Sequence, residues 1–600
     1  MRARTVDRRM LKPRGSAFLS CLAAFATVFL LFGSPSLAQQ ASDSIAPETA
    51  SGTAEKHLVV AHRHMVVAAN PLAAEAGLEV LREGGNAADA LVAVQAVLGL
   101  VEPQSSGLGG GAFLVWYDAK EKRLTTFDGR ETAPADVTPS LFLDAEGKPL
   151  PFFEAVVGGR SVGTPGTVRL LEAVHRKYGD KDWNGLFGRA IDLADKGFAV
   201  SPRLHNEIAG DMGRLDKQPA ARAYFYDRDG KPLATGATLK NPAYAETLRA
   251  IASGGADAFY TGKIAEDIVA AVHAHPTNPG HLNLQDLATY EAKERPAVCA
   301  PYRGYDVCGM GPPSSGALTI GQILGMISGF DIAKLGPDDP ESWRIIGDAT
   351  RLAFADRGRY MADSDFVPMP KGLLDPAYLK SRAALLRRPT ALGEDEVKPG
   401  DPPWDKAELR IDGLAYPEHG TSHFVIIDDA GNITSMTTTV ESAFGSRQMV
   451  DGFLLNNELT DFTFAPVDDG HAVANRVEPG KRPRSSMAPT IVLKDGRPVI
   501  AIGSPGGSNI ISYVAEALIA MIDWKMDVQQ AVSLPHFVNR FGVYDLEAGT
   551  SAAGMAKDLE ALGYRTKTGD QNSGLHGIEI TPAGIEGGAD PRREGVAVGD

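Results

Sequence analysis

The sequence predicts an α+β layered fold, and three observations carry that prediction. After residue 421 the chain turns strand-rich, with HFVIID, ITSMTTTV, TIVLKDG and RPVIAIG in close succession. A second strand-like region, HLVVAHRHMVVAAN and then GGAFLVW, lies near the other end. Helix patterns that are apolar on most sides join the two, as in layered α+β folds rather than doubly wound ones. Six hundred residues, 44% hydrophobic and 22% charged, can build one large layered core or more than one.

Arg2, Arg4, Arg8, Arg9, Lys12 and Arg14 precede an apolar run from Ala17 to Gly33 and the small-x-small step Ser36-Leu37-Ala38. This is the pattern of a secretory signal peptide over 1–38, with an uncleaved membrane anchor as the alternative. The expected location is therefore the periplasm or outside the cell. The chain carries a net charge of -15, and its first sixteen residues hold six of its basic groups. What remains is strongly acidic, which excludes sequence-independent nucleic-acid binding. Residues 39–56 are small and polar, a loose beginning for the mature chain.

Asn70-Pro71 reads as an N-cap and first helical residue, and Gly84-Gly85 ends that helix. Asn86 caps a second helix, AADALVAVQAVLGLV, whose uniform apolarity marks it as a core element. The Gly109-Gly110-Gly111 turn lacks the Gly-Lys-Ser/Thr ending of a phosphate loop and predicts close backbone packing instead. TFDGRE (126–131) reads as a strand ending in Arg130. Cys299 and Cys308 flank a Tyr-Arg-Gly-Tyr turn, either as a cross-strand disulfide or as two buried thiols. There is no second Cys pair and no His at metal spacing to them, so no zinc site is expected there, and the chemistry considered below calls for no metal or cofactor. Ser315 is a candidate cap for a helix from Gly316, and residues 387–420 read as one long exposed segment ending at Thr421. Beyond it GFLLNNELTDF reads as a strand, and a helix begins near Ser508.

The turn Asp429-Ala430-Gly431 fits a three-residue hairpin loop with Gly in the left-handed position. Counting back from it pairs Thr421 with Thr439 and sends Thr421, Thr439 and Glu441 to one face. Threonine is common in strands, so the pairing alone assigns no chemistry. Yet a threonine made N-terminal by a cut after Gly420 would carry its nucleophile and its base on one residue. Its free α-amine has a reference pKa of about 7.7–8.0. Gly420 leaves the approach to its own carbonyl open.

The ordered motifs GGNAADA (84–90), SSGLGGGAFLVW (105–116), FDGRETAPA (127–135), TSHFVIIDDAGN (421–432), FLLNNELTDF (453–462), KRPRSSMAPTIV (481–492) and GSPGGS (503–508) carry a resemblance. In them the chain resembles the γ-glutamyltranspeptidase family of N-terminal-nucleophile hydrolases. The resemblance implies an αββα four-layer sandwich and a self-cleaved precursor. After signal removal, 39–420 would form the large subunit and 421–600 the small one, a heterodimer from one chain. It implies Thr421 as nucleophile, Thr439 as its supporting hydroxyl, and Gly506 and Gly507 as oxyanion donors. It also implies a donor pocket in which Arg130, Ser485 and Ser486 take the α-carboxylate and Glu458 and Asp461 the α-ammonium. The donor would be glutathione or another γ-glutamyl compound, and the acceptor water, an amino acid or a dipeptide.

Two departures stand out. Glu441 replaces an asparagine found in some members, adding a third acid. The 462–481 loop is shorter than in members with a lid and contains no tyrosine, which predicts a more open pocket. Two alternatives remain on the same scaffold: a glutaryl-cephalosporin acylase, and a processed but inactive binding homologue.

Overall fold

The computed structural model of the protein describes residues 52–404, 420–468 and 470–600. The readings made for the export segment 1–38, for the first residues after it and for 405–419 lie outside the described residues.

Two seven-stranded sheets dominate the molecule. Their strands are β1 (Val59–Ala61), β2 (Met65–Ala68), β3 (Gly111–Asp118), β4 (Arg123–Gly129), β5 (Lys293–Arg295), β6 (Val298–Tyr302) and β7 (Tyr305–Gly309), followed by β8 (Gly420–Ile427), β9 (Ile433–Glu441), β10 (Thr490–Lys494), β11 (Arg497–Gly503), β12 (His576–Thr581), β13 (Gly584–Ala589) and β14 (Val596–Gly599). One sheet runs β1-β13-β12-β11-β10-β7-β6 and the other β14-β2-β8-β9-β3-β4-β5. Both sheets combine strands from before and after residue 420.

The three largest apolar clusters among the described residues form layers, and their membership fixes the stacking. Val67, Val115, Val425 and Ile433 of one sheet meet Ile491, Ala501 and Ile578 of the other. The opposite faces are covered by helices. Phe424, Ile426, Met436 and Leu114 pack with α1 (Pro71–Arg82), α2 (Ala87–Val101) and α3 (Thr167–Tyr178). Val492, Ile500 and Ile502 pack with α4 (Gly316–Ile327), α5 (Pro340–Tyr360) and α6 (Ile510–Ile522). Helix, sheet, sheet, helix is the αββα sandwich. The two-residue period of a strand explains why Val425 and Phe424 serve different layers.

The predicted local signals act as expected in α1 and α2. The Asn70 side chain accepts from the Leu72 N–H, and Asn86 and Asp89 form a capping box. Every residue of α2 is buried. Cys299 and Cys308 lie directly opposite each other in the β6–β7 pair and are disulfide-bonded.

Four expectations are corrected. HLVVAHRHMVVAAN is not one strand. It supplies β1 to one sheet and β2 to the other, so its short turn crosses the sandwich. GFLLNNELTDF is extended only at Phe453–Leu454, and Glu458–Asp461 form a 3-10 turn. There the Asn456 side chain satisfies the backbone of Gly109, Gly163 and Glu458 in place of a strand ladder. Ser315 occupies the cap position of α4 without capping it, and the serine that serves is Ser314, whose hydroxyl accepts from the Gly316 N–H at 3.0 Å. Finally, 387–420 is not exposed throughout: most of its described part is exposed or half-buried, but Leu392 is buried, its N–H bonds Asp348 of α5, and the Gly400 N–H bonds Asp356 of α5. Among the described residues no helix is long and apolar enough to cross a membrane.

Candidate active site

Thr421 is the second residue of β8, and Thr439 is its partner across the ladder. Gly431 takes the left-handed conformation (φ 87°) in the hairpin turn, so the register is the one counted from the sequence. The count fails one step later. A bulge between Gly420 and Thr421 sets Gly420 opposite Glu441, and Glu441 adopts φ 78°. An extra residue in one strand bends the ladder at the bond of interest.

Around that bond the hydroxyls form a directed chain. The Thr421 hydroxyl donates to Thr439 Oγ1 at 3.3 Å, and the Thr439 hydroxyl donates to the Gly420 carbonyl oxygen. The Glu441 N–H donates to Thr439 Oγ1 at 2.8 Å and fixes it. Gly420 has no room for a side chain, since a β-carbon there would lie 2.6 Å from the Glu441 carbonyl oxygen. A β-carbon on Gly110 would collide with the Thr439 carbonyl, so the glycine turn does pack closely. Thr421 and its carbonyl are held from the C-terminal end of the chain. Arg593 donates to the Thr421 carbonyl at 3.2 Å and to that of Asn572 at 3.0 Å. Two residues along β8, His423 is buried and bonded to Thr437, and burial keeps its imidazole neutral, well below the usual range.

Gly506 and Gly507 follow β11 in the turn that leads to α6, both at positive φ (130° and 60°). Successive backbone N–H groups in such a turn form an anion-binding concavity. A β-carbon on Gly506 would lie 2.6 Å from the Tyr513 ring.

The second cluster is built on Arg130, just beyond β4. Its guanidinium is fully buried and donates to Glu458 and to Asp461. It also donates to the carbonyls of Pro483 and Arg484 at 3.2 Å each. Ser485 and Ser486 come next in the chain. Ser485 is tied to Pro313 and Ser315, and its hydroxyl accepts from the Met487 N–H at 3.1 Å. The Ser486 hydroxyl accepts from Arg357 at 2.6 Å. One cation and two carboxylates are thus paired inside the protein, where a charge without a partner is costly. Glu131 lies beside them, and burial pushes its carboxyl up to about 8 against the pull of Arg130.

The structure brings the sequence-predicted residues into two groups: Gly420, Thr421, Thr439 and Glu441, and Arg130, Glu458 and Asp461 with the Ser485-Ser486 pair. Asn457 joins them. Its side-chain Oδ1 accepts from the Ser442 N–H at 2.9 Å, and its side-chain Nδ2 donates to Glu441 and, at 2.9 Å, to Thr460. Sequence reasoning missed Asn457, Arg593, Arg357 and Glu131. Asn457 and Glu131 stand inside quoted motifs, but nothing in their spacing distinguishes them. Among the described residues no group of His, Cys, Asp or Glu is arranged to hold a metal.

A family model described as Gamma-glutamyltranspeptidase matches residues 73–600. The chain is 36% identical over 592 residues to the glutathione hydrolase proenzyme of Bacillus subtilis (strain 168), covering 96% of this chain and 98% of that one. It is 33% identical over 563 residues to the acylase ACY 1 proenzyme of Pseudomonas sp. (strain SE83), covering 92% and 96%. The crystal structure of cephalosporin acylase from Bacillus halodurans shares the fold, with TM-score 0.80 and 24% identity over 93% of this chain and 99% of that one.

Proposed function

Since this chain belongs to the γ-glutamyltranspeptidase family, we propose that it is a γ-glutamyltransferase with glutathione hydrolase activity, matured by its own cut between Gly420 and Thr421. The observation that carries this reading is the hydroxyl chain from Thr421 through Thr439 to the Gly420 carbonyl. Thr421 Oγ attacks that carbonyl carbon while its proton passes to Thr439. The Thr439 proton moves toward the developing oxyanion, so charge is met as it forms. Collapse breaks the C–N bond, returns a proton to the Thr421 nitrogen and leaves an ester on Thr421 Oγ. Water hydrolyses the ester, giving a Gly420 carboxylate and a free Thr421 amine. The subunits 39–420 and 421–600 stay together because β8 and β9 remain paired with β2 and β3.

In the mature enzyme the same hydroxyl attacks the γ-amide of glutathione or a related donor, with the α-amine of Thr421 as base. Gly506 and Gly507 stabilise the oxyanion, and water or an amine of an amino acid or dipeptide resolves the acyl-enzyme. The Arg130 cluster reads the donor's head: Arg130, Ser485 and Ser486 take the α-carboxylate, and Glu458, Asp461 and Glu441 take the α-ammonium. The self-pairing of Arg130 with Glu458 and Asp461 supports this, since a zwitterion can replace both halves of that pairing at once. A glutaryl group has no ammonium to offer these acids, which favours the γ-glutamyl donor over the acylase reading. Residues 1–38 would direct the enzyme to the periplasm or outside the cell, and the Cys299–Cys308 bond suits such an oxidising compartment.

The test is mass spectrometry of Thr421→Ala. We expect one uncut chain and a loss of γ-glutamyl anilide turnover of more than about 10³-fold. Normal processing of that variant would sink the mechanism. Turnover of a glutaryl anilide in preference to a γ-glutamyl anilide by the wild type would move the assignment to the acylases.

A further inference from the structure

The residue that orients the serine pair lies on the far side of the cut. Arg357 is in the last turn of α5, at 4% exposure. Its Nη2 donates to Ser486 Oγ at 2.6 Å and its Nε to Ser315 Oγ at 2.8 Å. The Ser315 hydroxyl donates to the Ser485 carbonyl at 2.7 Å, and the Ser315 N–H donates to the same oxygen at 2.8 Å. One guanidinium therefore holds the Ser486 side chain directly and the Ser485 backbone through one intermediary. This explains why the Ser315 hydroxyl does not cap its helix, a task that falls to the Ser314 hydroxyl, which accepts from the Gly316 N–H at 3.0 Å. Arg357 is itself tied to the rest of the pocket. The Arg484 side chain donates to the Arg357 carbonyl at 3.0 Å, and the Arg484 carbonyl accepts from Arg130.

A serine hydroxyl has one proton and two lone pairs. When a guanidinium occupies a lone pair, the hydroxyl is fixed in rotation and its proton must point elsewhere. The cation also makes that O–H a stronger donor. Resting on the γ-glutamyl reading above, we infer that Arg357 is a positioning residue for donor selection. It turns the Ser486 hydroxyl into a donor toward the substrate α-carboxylate. Its target is the α-carboxylate alone, so its loss blunts discrimination between a donor with that carboxylate and one carrying a neutral carboxamide there. A merely structural role would lower turnover of both donors alike.

The experiment measures kcat/KM for γ-glutamyl-p-nitroanilide and its α-carboxamide counterpart in the self-cleaved wild type, Arg357→Gln, Ser486→Ala and the double variant. Arg357→Gln is expected to lower the carboxylate-over-carboxamide preference by about 10- to 100-fold, the worth of a hydrogen bond to a charged group. Ser486→Ala should give a similar loss, and adding Arg357→Gln to it should change the ratio by less than about twofold, because coupled residues are not additive. If the glutamine variant is not cut at Thr421, Arg357→Lys takes its place, with a smaller loss in the same direction. An unchanged ratio in the Arg357 variant, or an equal further loss in the Ser486→Ala background, overturns the inference. A wild type that turns over neither anilide would instead overturn the activity on which it rests.

Discussion

The hydroxyl chain at Thr421 and the charge cluster at Arg130 are linked through Glu441 and Asn457, yet they are assembled in opposite ways. Thr421 and Thr439 are 18 residues apart, joined by one tight turn. Arg130 and its acids are 328 and 331 residues apart, brought together by the stacking of the whole sandwich. The first part depends on the register of a hairpin and the second on tertiary packing. The difference teaches where each is vulnerable. A local fault at the hairpin should stop the chemistry and spare the fold, whereas a fault at the cluster should cost both recognition and stability.

Thr439→Ala is the sharpest test of the local half. Removing a donor to a developing oxyanion costs about 10²–10³-fold, so self-cleavage followed by mass spectrometry should slow by that order while the thermal midpoint stays near wild type. Thr439→Ser keeps the hydroxyl and should recover most of the rate. A cleavage rate untouched by the alanine would show that the Gly420 carbonyl needs no such donor.

Arg130→Ala should behave in the contrary manner. It leaves Glu458 and Asp461 buried without their cation, and breaking a buried pair from one side costs about 3–5 kcal/mol. Chemical denaturation would read this as a lowered midpoint. If the variant matched wild-type stability while losing only donor affinity, the cluster would be a binding device without a structural share.

The smallest effect concerns Glu131. Its carboxyl titrates near 8 in the folded chain, above its ordinary 4.5, because burial disfavours the charge. The folded state therefore keeps a proton that the unfolded state releases. The stability this group contributes is full below about 4.5 and is lost as pH rises through about 8. Glu131→Gln removes that titration. Its thermal midpoint relative to wild type should rise between pH 5 and pH 8, and a constant difference across that range would refute the assignment.

The asymmetry between the two halves also governs what could be read in advance. The pairing of Thr421 with Thr439 follows from Gly431 and a period of two, so it was countable. The bulge that sets Glu441 opposite Gly420 was not, because it answers to close packing among Gly110, Gly420 and their neighbours. GFLLNNELTDF looked like a strand because its apolar residues suit one. Asn456 and Asn457 turn it into a support for Glu458 and Glu441, through bonds to Gly109, Gly163 and Ser442 that no local pattern announces. Arg357 and Arg593 gave no signal, since a lone arginine is ordinarily a solvated one.

By itself the sequence determined the α+β class, the caps of α1 and α2, the hairpin register and the ordered motifs that mark the family. These depend on φ preferences, capping and strand period, which act within a few residues. Only the tertiary structure decided that HLVVAHRH crosses between sheets, that the cysteines bond, and that Arg130 stores its charge on Glu458 and Asp461. It also decided that Arg357 stands behind Ser486. Those outcomes turn on which distant groups are buried together, because a charge or a polar hydrogen withdrawn from water must find its partner wherever the fold has placed one.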